Sequence, residues 1–266
     1  MSALPAVLIT GASTGIGAVY ADRFAKRGHD LVLVARNQQR LEALAARLHS
    51  RDGVRVDIVR ADLTQRAELE RVEALLAGDA RIGVLVNNAG ASAAGSFVEQ
   101  GVETVSRVID LNATALARLA AAVAPRFARE GKGAIVNIAS VVGLASEFQM
   151  SVYGATKAFV LYLSQGLHLE LGPKGIYVQA VLPAATRTEI WASVGKDVDA
   201  IEGMMEVDDL VDAALVGYDR RETVTIPPLP DAQQWGDYEL ARRAMFANFR
   251  QSQPAARYRQ AASEQP

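Results

Sequence analysis

The pair of residues with the clearest chemical potential is a tyrosine followed four positions later by a lysine, Tyr153 and Lys157. They lie in a segment with helical periodicity, so their side chains share one face of the helix, one turn apart. A free phenol has a pKa of about 10 and is a poor base at neutral pH. A nearby ammonium favours the phenolate and lowers that pKa, so the pair could exchange a proton with an alcohol or carbonyl oxygen. A surface Tyr–Lys pair on an exposed helix is the alternative.

A serine stands where its hydroxyl could assist the same chemistry. Ser140 ends the run AIVNIAS, whose apolar character predicts a buried parallel strand. Open α/β sheets bind their ligands at the carboxyl ends of such strands. From there the hydroxyl could donate to a carbonyl oxygen that gains charge during hydride transfer. A serine in an ordinary strand-end turn is the alternative.

The segment LITGASTGIG, residues 8–17, has two interpretations. Its inner residues fit the G-x-S-x-G pattern of a serine hydrolase with Ser13 as nucleophile. No earlier strand precedes it to supply an oxyanion loop, and the candidate bases are poorly supported: His29, His49 and His168. The spacing of Gly11, Gly15 and Gly17 predicts instead a tight turn that lets a dinucleotide pyrophosphate approach a helix N-terminus.

Composition narrows the class of protein. The chain has 266 residues, half of them hydrophobic, with a net charge of −2 and no cysteine. Near-neutral charge gives no general electrostatic case for nucleic acid or an anionic membrane. The lack of cysteine excludes disulfides and thiolate zinc sites, and we predict no metal site. We find no signal sequence or long apolar span, so we expect a soluble cytoplasmic protein.

Short apolar, β-branched runs alternate with longer segments of helical periodicity. Strands are predicted at residues 6–9, 30–34, 55–59, 84–87, 134–138, 177–181 and 223–226, and helices at 15–27, 39–50, 65–77, 102–130, 152–171 and 208–219. Thr64 and Asp208 are predicted N-caps. This rhythm predicts an α/β fold with a doubly wound (Rossmann) parallel sheet of about seven strands and helices on both faces. We expect a single domain over residues 1–250 and a frayed tail over 251–266.

Four motifs in order, TGASTGIG, NNAG at 87–90, Ser140 and YGATK at 153–157, resemble the short-chain dehydrogenase/reductase family over about residues 5–230. The resemblance implies that Ser140 orients the substrate, Tyr153 is the general acid/base and Lys157 also holds the nicotinamide ribose. It further implies that Asn112, in DLNATA, anchors a water that continues a proton relay. An asparagine at the start of a helix is also a common cap.

The glycine-rich turn and the family pattern together give a set of cofactor-binding residues. They are Gly11, Ser13, Thr14, Gly15, Ile16, Gly17, Arg36, Asp62, Leu63, Asn88, Ala89, Gly90, Tyr153, Lys157, Pro183 and Thr188. The segment LPAATRTEI resembles the family's Pro-Gly-x-x-x-Thr element, but Ala184 stands where glycine is usual, which narrows the backbone conformations open to it.

The end of the second strand bears on the choice of cofactor. A carboxylate there would bind the adenosine ribose and repel a 2′-phosphate, but the sequence has Ala35 followed by Arg36. A guanidinium can pair with a 2′-phosphate, so NADP(H) is favoured over NAD(H). Thr14 stands where NADP-preferring relatives often carry a second basic residue. Arg40, one helical turn after Arg36, is a candidate substitute.

Substrate determinants are expected in residues 141–150 and 189–206, above the strand ends. Their larger side chains predict a mainly apolar pocket: Leu144, Phe148, Met150, Trp191, Met204 and Met205. Glu147 could contact a polar substrate group. The helix at 152–171 has a wide apolar surface, and the resemblance suggests a homodimer or homotetramer through it. The leading hypothesis is an NADPH-dependent carbonyl reductase, or an alcohol dehydrogenase in reverse. The alternative is a non-catalytic NADP(H)-binding regulatory protein.

Overall fold

The computed structural model describes residues 4–193, 195, 197, 201 and 203–259. The chain divides into two compact units, residues 1–228 and residues 229–266. Among the described residues, the strands lie in the first unit, and the α-helix Ala232–Ala244 lies in the second. The sequence pattern did not predict this helix, and the helix buries none of its residues. The boundaries predicted for a single domain and its tail stay a prediction.

Seven strands form one sheet in the order β3-β2-β1-β4-β5-β6-β7, and every neighbouring pair is parallel. They are β1 Ala6–Thr10, β2 Leu31–Ala35, β3 Val56–Arg60, β4 Ile82–Asn87, β5 Gly133–Ile138, β6 Ile176–Val181 and β7 Val224–Thr225. The predicted doubly wound fold is confirmed. Strand order reverses between β1 and β4, and such a switch point is where open α/β sheets bind ligands.

The strands are apolar throughout because both faces of the sheet are covered. Successive residues of β1 alternate between two core clusters: Val7 and Ile9 belong to one, Ala6 and Leu8 to the other. A strand with helices packed on both sides therefore has no polar face, which is why these runs could be recognised without alternation.

Helices connect the strands and cover the two faces. In the first unit they are α1 Gly15–Lys26, α2 Gln38–Asp52, α3 Arg66–Gly78, α4 Gly101–Ile109, α5 Leu116–Glu130, α6 Ser151–Leu171, α7 Ile190–Ser193 and α8 Val207–Asp219; α9 is the helix of the second unit. The helix predicted over 102–130 is interrupted by a π-helical turn, Asp110–Ala115, between α4 and α5.

The two predicted N-caps are wrong. Gln65 precedes α3 and Glu206 precedes α8. The hydroxyl of Thr64 donates instead to Asp62 Oδ1 at 2.8 Å, so it is used in the loop before the helix. Asp208 lies inside the first turn of α8, where its carboxylate forms an ion pair with Arg23 at 2.6 Å.

Among the described residues, one helical run, Gly101–Glu130, is long and apolar enough to cross a membrane when judged by length and composition alone. Its apolar side chains include Leu119, Val123 and Phe127, which are buried in the core beneath the sheet. Packing against the sheet accounts for the apolar character of these positions.

Candidate active site

The glycine-rich turn between β1 and α1 has the geometry that an anion site requires. Gly11 and Gly15 have φ of +66° and +53°, in the left-handed region that favours glycine. A Cβ on Gly17 would collide with the Gly11 carbonyl oxygen and the Asn88 side chain. Thr14 at the N-cap makes no side-chain cap, and the first turn of α1 has no acidic residue. The N–H groups of that turn therefore fit a pyrophosphate.

A threonine that sequence reasoning missed joins this turn to the end of β4. The Oγ1 atom of Thr10 accepts hydrogen bonds from the backbone N–H groups of Asn88 and Ala89, each at 3.0 Å. The Asn88 amide donates to the carbonyl oxygens of Thr10 and Gly11 at 2.9 and 3.2 Å. These bonds fix the walls of the groove at the switch point. The one available signal was the position of Thr10, directly before the first glycine.

Ser140 is buried just beyond the end of β5. Its Oγ atom donates to the Pro183 carbonyl oxygen at 3.1 Å and accepts from the Val142 N–H at 3.2 Å. Its side chain also interacts with the phenol of Tyr153, which lies in the first turn of α6, and this interaction favours the phenolate. The structure thus brings together the serine and the tyrosine that the sequence predicted as partners.

The phenol of Tyr153 is a weak acid in this structure. Burial raises the pKa of Tyr153 to about 12, and the interaction with the Ser140 side chain acts against that rise. Burial disfavours the charged phenolate, so the neutral phenol is the stable form at pH 7. This state suits a group that gives a proton to a substrate oxygen.

The side chain of Lys157 is buried and hydrogen-bonds the end of β5. Its Nζ atom donates to the Ile138 carbonyl oxygen at 2.8 Å and lies 5.6 Å from the centre of the Tyr153 ring. Burial lowers the pKa of Lys157 to about 8. Burial and Ser140 set the pKa of Tyr153 here, so the lowering of that pKa by Lys157 stays a prediction.

Asn112 lies in the π-helical turn and is almost completely buried. Its Oδ1 accepts from the Ala91 N–H at 2.8 Å, and its Nδ2 donates to the Ala91 carbonyl oxygen at 2.8 Å and to Thr156 Oγ1 at 3.1 Å. Its position inside a helical run differs from that of a cap. The side chain instead clamps the loop after β4, near Gly90 and the Nζ atom of Lys157.

The end of β2 presents an exposed arginine to the groove. Arg36 is solvent-exposed, and within the described ranges no carboxylate lies at ion-pair distance from its guanidinium. Arg40 is different, since its Nη1 pairs with Glu189 Oε2 at 2.7 Å. Ala35 carries no charge that would repel a phosphate. Arg36 is thus available to a 2′-phosphate, whereas Arg40 has a partner in the chain.

Two further predicted cofactor residues follow β3. Burial would raise the pKa of Asp62, but hydrogen bonds from Thr64 and the charges of Arg36 and Arg60 hold it below its usual range. The Asp62 N–H donates to Glu68 at 2.6 Å, and Leu63 is buried. Asp62 therefore stays ionised and shapes the loop at the adenine end of the groove.

The remaining predicted cofactor-binding residues lie on the glycine-rich turn or face it. A Cβ on Gly15 would lie 3.3 Å from the methyl carbon of Thr188, so this threonine faces the glycine-rich turn. Ile16 packs partly buried on the core, and Ser13 is partly exposed in the turn. No described contact favours the hydrolase interpretation of Ser13, since His29 and His49 contact the carbonyl oxygens of Pro5 and Val54, and His168 lies in α6.

A second feature missed at the sequence level is a chain of buried amides beneath the site. Asn87 Nδ2 donates to Asn137 Oδ1 at 3.0 Å, and Asn137 Nδ2 donates to Ser164 Oγ at 2.9 Å. The Ser164 hydroxyl donates to the Val160 carbonyl oxygen at 2.7 Å. These bonds tie the ends of β4 and β5 to α6. Each residue is polar within an apolar segment, which is the signal that could have found them.

The predicted substrate residues lie in the segments that follow β5 and β6. Leu144 and Met150 are partly buried, while Glu147 and Phe148 are exposed. Trp191 Nε1 donates to the Thr186 carbonyl oxygen at 2.7 Å. Met204 and Met205 are partly buried. Of the predicted segment 189–206, residues 194, 196, 198–200 and 202 lie outside the described residues.

The sequence and the fold resemble known proteins closely. Over 96% of the chain, the protein is 65% identical to a solved short-chain dehydrogenase from Sphingobium yanoikuyae in complex with NADPH, with all of that chain covered and a TM-score of 0.95. It is 56% identical, over 97% of its length and 99% of the other, to a bulky-bulky ketone specific alcohol dehydrogenase from Comamonas testosteroni, with a TM-score of 0.91.

Curated relatives are more distant and longer. A very-long-chain 3-oxoacyl-CoA reductase from Anas platyrhynchos is 36% identical over 190 residues, which are 69% of this chain and 60% of the relative. The chain thus matches about 60% of the length of these relatives. The short chain dehydrogenase family model matches residues 5–199, the part of the chain that holds the glycine-rich turn, Ser140, Tyr153 and Lys157. The chain therefore belongs to the short-chain dehydrogenase family.

Proposed function

We propose that the protein is an NADPH-dependent oxidoreductase that reduces a ketone to a secondary alcohol, and catalyses the reverse reaction when alcohol and NADP⁺ are supplied. The observation that carries the proposal is that Ser140, Tyr153 and Lys157 meet at the carboxyl end of the sheet, on the same unit as a glycine-rich anion site. The Lys157 Nζ atom donates to the Ile138 carbonyl oxygen at 2.8 Å and lies 5.6 Å from the centre of the Tyr153 ring. A protein that only bound a dinucleotide would need no proton donor beside the site.

The site residues have different roles in the reaction. When bound, NADPH supplies the hydride that adds to the carbonyl carbon. Ser140 donates a hydrogen bond to the carbonyl oxygen as negative charge develops on it. Tyr153 then gives that oxygen its proton. We propose that the phenolate left behind regains a proton by way of Lys157 and a water near Asn112, the relay that the family resemblance implies. In alcohol oxidation the same groups act in the opposite order.

The cofactor would be held by groups that the structure has in place. The uncapped first turn of α1 fits the pyrophosphate, with Gly15 leaving room for it. Arg36 would pair with the 2′-phosphate, and Ala35 places no carboxylate against it. Thr188 faces Gly15 across the groove, where the nicotinamide half would pass.

For the substrate we favour a bulky, mainly apolar ketone. The exposed or partly buried apolar side chains after β5 and β6 support it, as does the 56% identity to a dehydrogenase described as specific for bulky-bulky ketones. A second candidate is a 3-oxoacyl thioester, which the similarity to very-long-chain 3-oxoacyl-CoA reductases supports. The two differ in charge, since the thioester carries the phosphates of coenzyme A.

A single assay separates these possibilities. Purified protein is mixed with NADPH and either a diaryl or aryl-alkyl ketone, a short methyl ketone or a 3-oxoacyl-CoA, and the absorbance of the reduced nicotinamide is followed. We expect the highest kcat/KM with the bulky ketones. Turnover of the acyl-CoA alone would identify a 3-oxoacyl thioester as the substrate class. Tight binding of NADPH without turnover of any carbonyl compound would favour the regulatory role.

We also propose a cytoplasmic homodimer or homotetramer that assembles through α6. Support comes from the outer face of this helix, where Phe159, Tyr162 and Leu169 are exposed large apolar residues. Light scattering at micromolar concentration tests the assembly, with Tyr162→Glu expected to shift it towards the monomer. A monomeric wild-type protein would contradict this part of the proposal.

A further inference from the structure

We propose that Thr156 is a positioning residue for proton transfer, because its hydroxyl joins the side chain of Asn112 to the helical turn that carries Tyr153. The inference rests on the proposed oxidoreductase function and extends it to a residue that neither substrate nor cofactor needs to touch. Thr156 lies between Tyr153 and Lys157 in the sequence and is almost fully buried.

The hydroxyl of Thr156 makes two hydrogen bonds with different parts of the site. It donates to the Tyr153 carbonyl oxygen at 2.7 Å and accepts from Asn112 Nδ2 at 3.1 Å. The first bond is local to α6, whereas the second spans 44 positions and reaches the π-helical turn. A side chain without an oxygen here would leave both partners without these bonds.

The second bond matters because Asn112 holds a loop of the site through its other contacts. Its amide bonds the N–H and the carbonyl oxygen of Ala91, each at 2.8 Å. A Cβ placed on the neighbouring Gly90 would lie 3.2 Å from Asn112 Oδ1 and 3.6 Å from Lys157 Nζ. Asn112 and Lys157 therefore converge on one point of the loop, and Thr156 fixes the orientation of the asparagine that reaches it.

A valine at this position would keep the shape of threonine and lose its oxygen. Asn112 Nδ2 would then have a buried hydrogen with no acceptor, which carries a desolvation cost and drives the amide to turn. The carbonyl oxygen of Tyr153 would lose a donor in the same turn. Serine would keep both bonds and lose only the methyl group.

The chain contains a closely matched control on the same helix. Ser164 is also buried, donates to the carbonyl oxygen of the preceding turn at 2.7 Å and accepts from an asparagine amide, Asn137 Nδ2, at 2.9 Å. It lies two turns beyond Thr156, and its asparagine partner is on β5 instead of the π-helical turn. Loss of its hydroxyl therefore removes the same kind of bonds without touching Asn112.

The test compares Thr156→Val, Thr156→Ser and Ser164→Ala with wild type in ketone reduction and in the pH dependence of alcohol oxidation. For Thr156→Val we expect kcat to fall about tenfold, the effect of one mispositioned hydrogen-bonding group, with the KM for NADPH within about twofold and a displaced pH profile. Thr156→Ser should keep kcat and the pH profile of wild type, and Ser164→Ala, which does not touch Asn112, should keep the pH profile whatever its effect on kcat. The same displacement of the pH profile in Thr156→Val and Ser164→Ala, or no loss of kcat in Thr156→Val, would overturn the proposal.

Hydrogen exchange provides a readout that does not need turnover. Since the Ala91 N–H donates to Asn112 Oδ1, peptides covering residues 88–92 should exchange faster in Thr156→Val than in Ser164→Ala. If Thr156→Val does not fold, Thr156→Ala replaces it in the kinetic and the hydrogen-exchange measurements. Unchanged exchange in a folded variant would overturn the positioning role, while a wild-type protein without carbonyl turnover would reject the proposed function and leave the exchange result standing.

Discussion

The ammonium of Lys157 lies 5.6 Å from the centre of the Tyr153 ring, and its hydrogen bond goes to the Ile138 carbonyl oxygen at 2.8 Å. Ser140, two residues after Ile138, interacts with the phenol and opposes the rise of its pKa. The end of β5 thus fixes both neighbours of the tyrosine. Because Ser140 and Lys157 are buried and Tyr153 is partly buried, desolvation disfavours the charged forms of Tyr153 and Lys157.

The raised pKa of Tyr153, about 12, predicts different pH dependences for the two reaction directions. Ketone reduction uses the protonated phenol, so its rate should change little between about pH 6 and 8. Alcohol oxidation uses the phenolate, whose fraction rises about tenfold per pH unit below the pKa, so kcat/KM for oxidation should rise steeply from about pH 7 to 9. Initial rates in both directions over this range measure it. A fall in oxidation rate over the same range would contradict the assignment.

The lowered pKa of Lys157, about 8, predicts a pH-dependent stability of the unliganded protein. The unfolded lysine keeps its proton up to about pH 10, whereas the folded lysine releases it above about pH 8. The unfolded state then binds more protons, so the free energy of unfolding should rise between those values, by at most roughly 3 kcal/mol. Above about pH 10, Tyr153 acts in the opposite direction, because only its unfolded form ionises.

Urea denaturation at about pH 7, 8, 9 and 10 measures this rise. Lys157→Met should remove it, while Lys174→Met, at an exposed lysine beyond α6, should retain it. A parallel pH dependence in the wild type and Lys157→Met would show that the lysine titrates as it does in the unfolded chain.

Arg36 is predicted to determine the preference for NADPH. Arg36→Ala should raise the Kd for NADPH about tenfold to a hundredfold, the effect of a lost charge-assisted hydrogen bond, and change the Kd for NADH by less than about twofold. Arg40→Ala is the matched control, because Arg40 already pairs with Glu189 and should matter less. Fluorescence titration of wild type and both variants with NADPH and with NADH measures these dissociation constants. Equal weakening of NADPH and NADH binding by Arg36→Ala would contradict the 2′-phosphate assignment.

Much of the fold was accessible from local sequence patterns. Buried parallel strands are continuous apolar runs, and β1, β2 and β6 are buried at every residue, so their positions could be read within one or two residues. The π-helical turn could not be predicted, because Asp110–Ala115 continues the helical pattern of its neighbours. The N-cap at Thr64 failed because Asp62 holds its hydroxyl in a competing contact.

The sequence predicted those parts of the site whose residues are close along the chain, as in the glycine-rich turn and the Tyr153–Lys157 pair. It could not predict contacts between distant segments. The bonds of Thr10 to the end of β4, and of Asn112 to Thr156, join residues 78 and 44 positions apart. The protonation state of Tyr153 also could not be derived from spacing, since it depends on burial, which only the folded chain defines.

Single-turnover reduction of a bulky ketone by Tyr153→Phe loaded with NADPH measures whether the Tyr153 phenol gives the proton that accompanies hydride transfer. The change removes one oxygen atom and keeps the ring, and Tyr162→Phe, at an exposed tyrosine of the same helix, is the control. We predict that Tyr153→Phe oxidises NADPH about 10²- to 10⁴-fold more slowly than wild type, with NADPH bound at nearly wild-type affinity, while Tyr162→Phe is unchanged. A rate constant for Tyr153→Phe within a few fold of wild type would contradict the account.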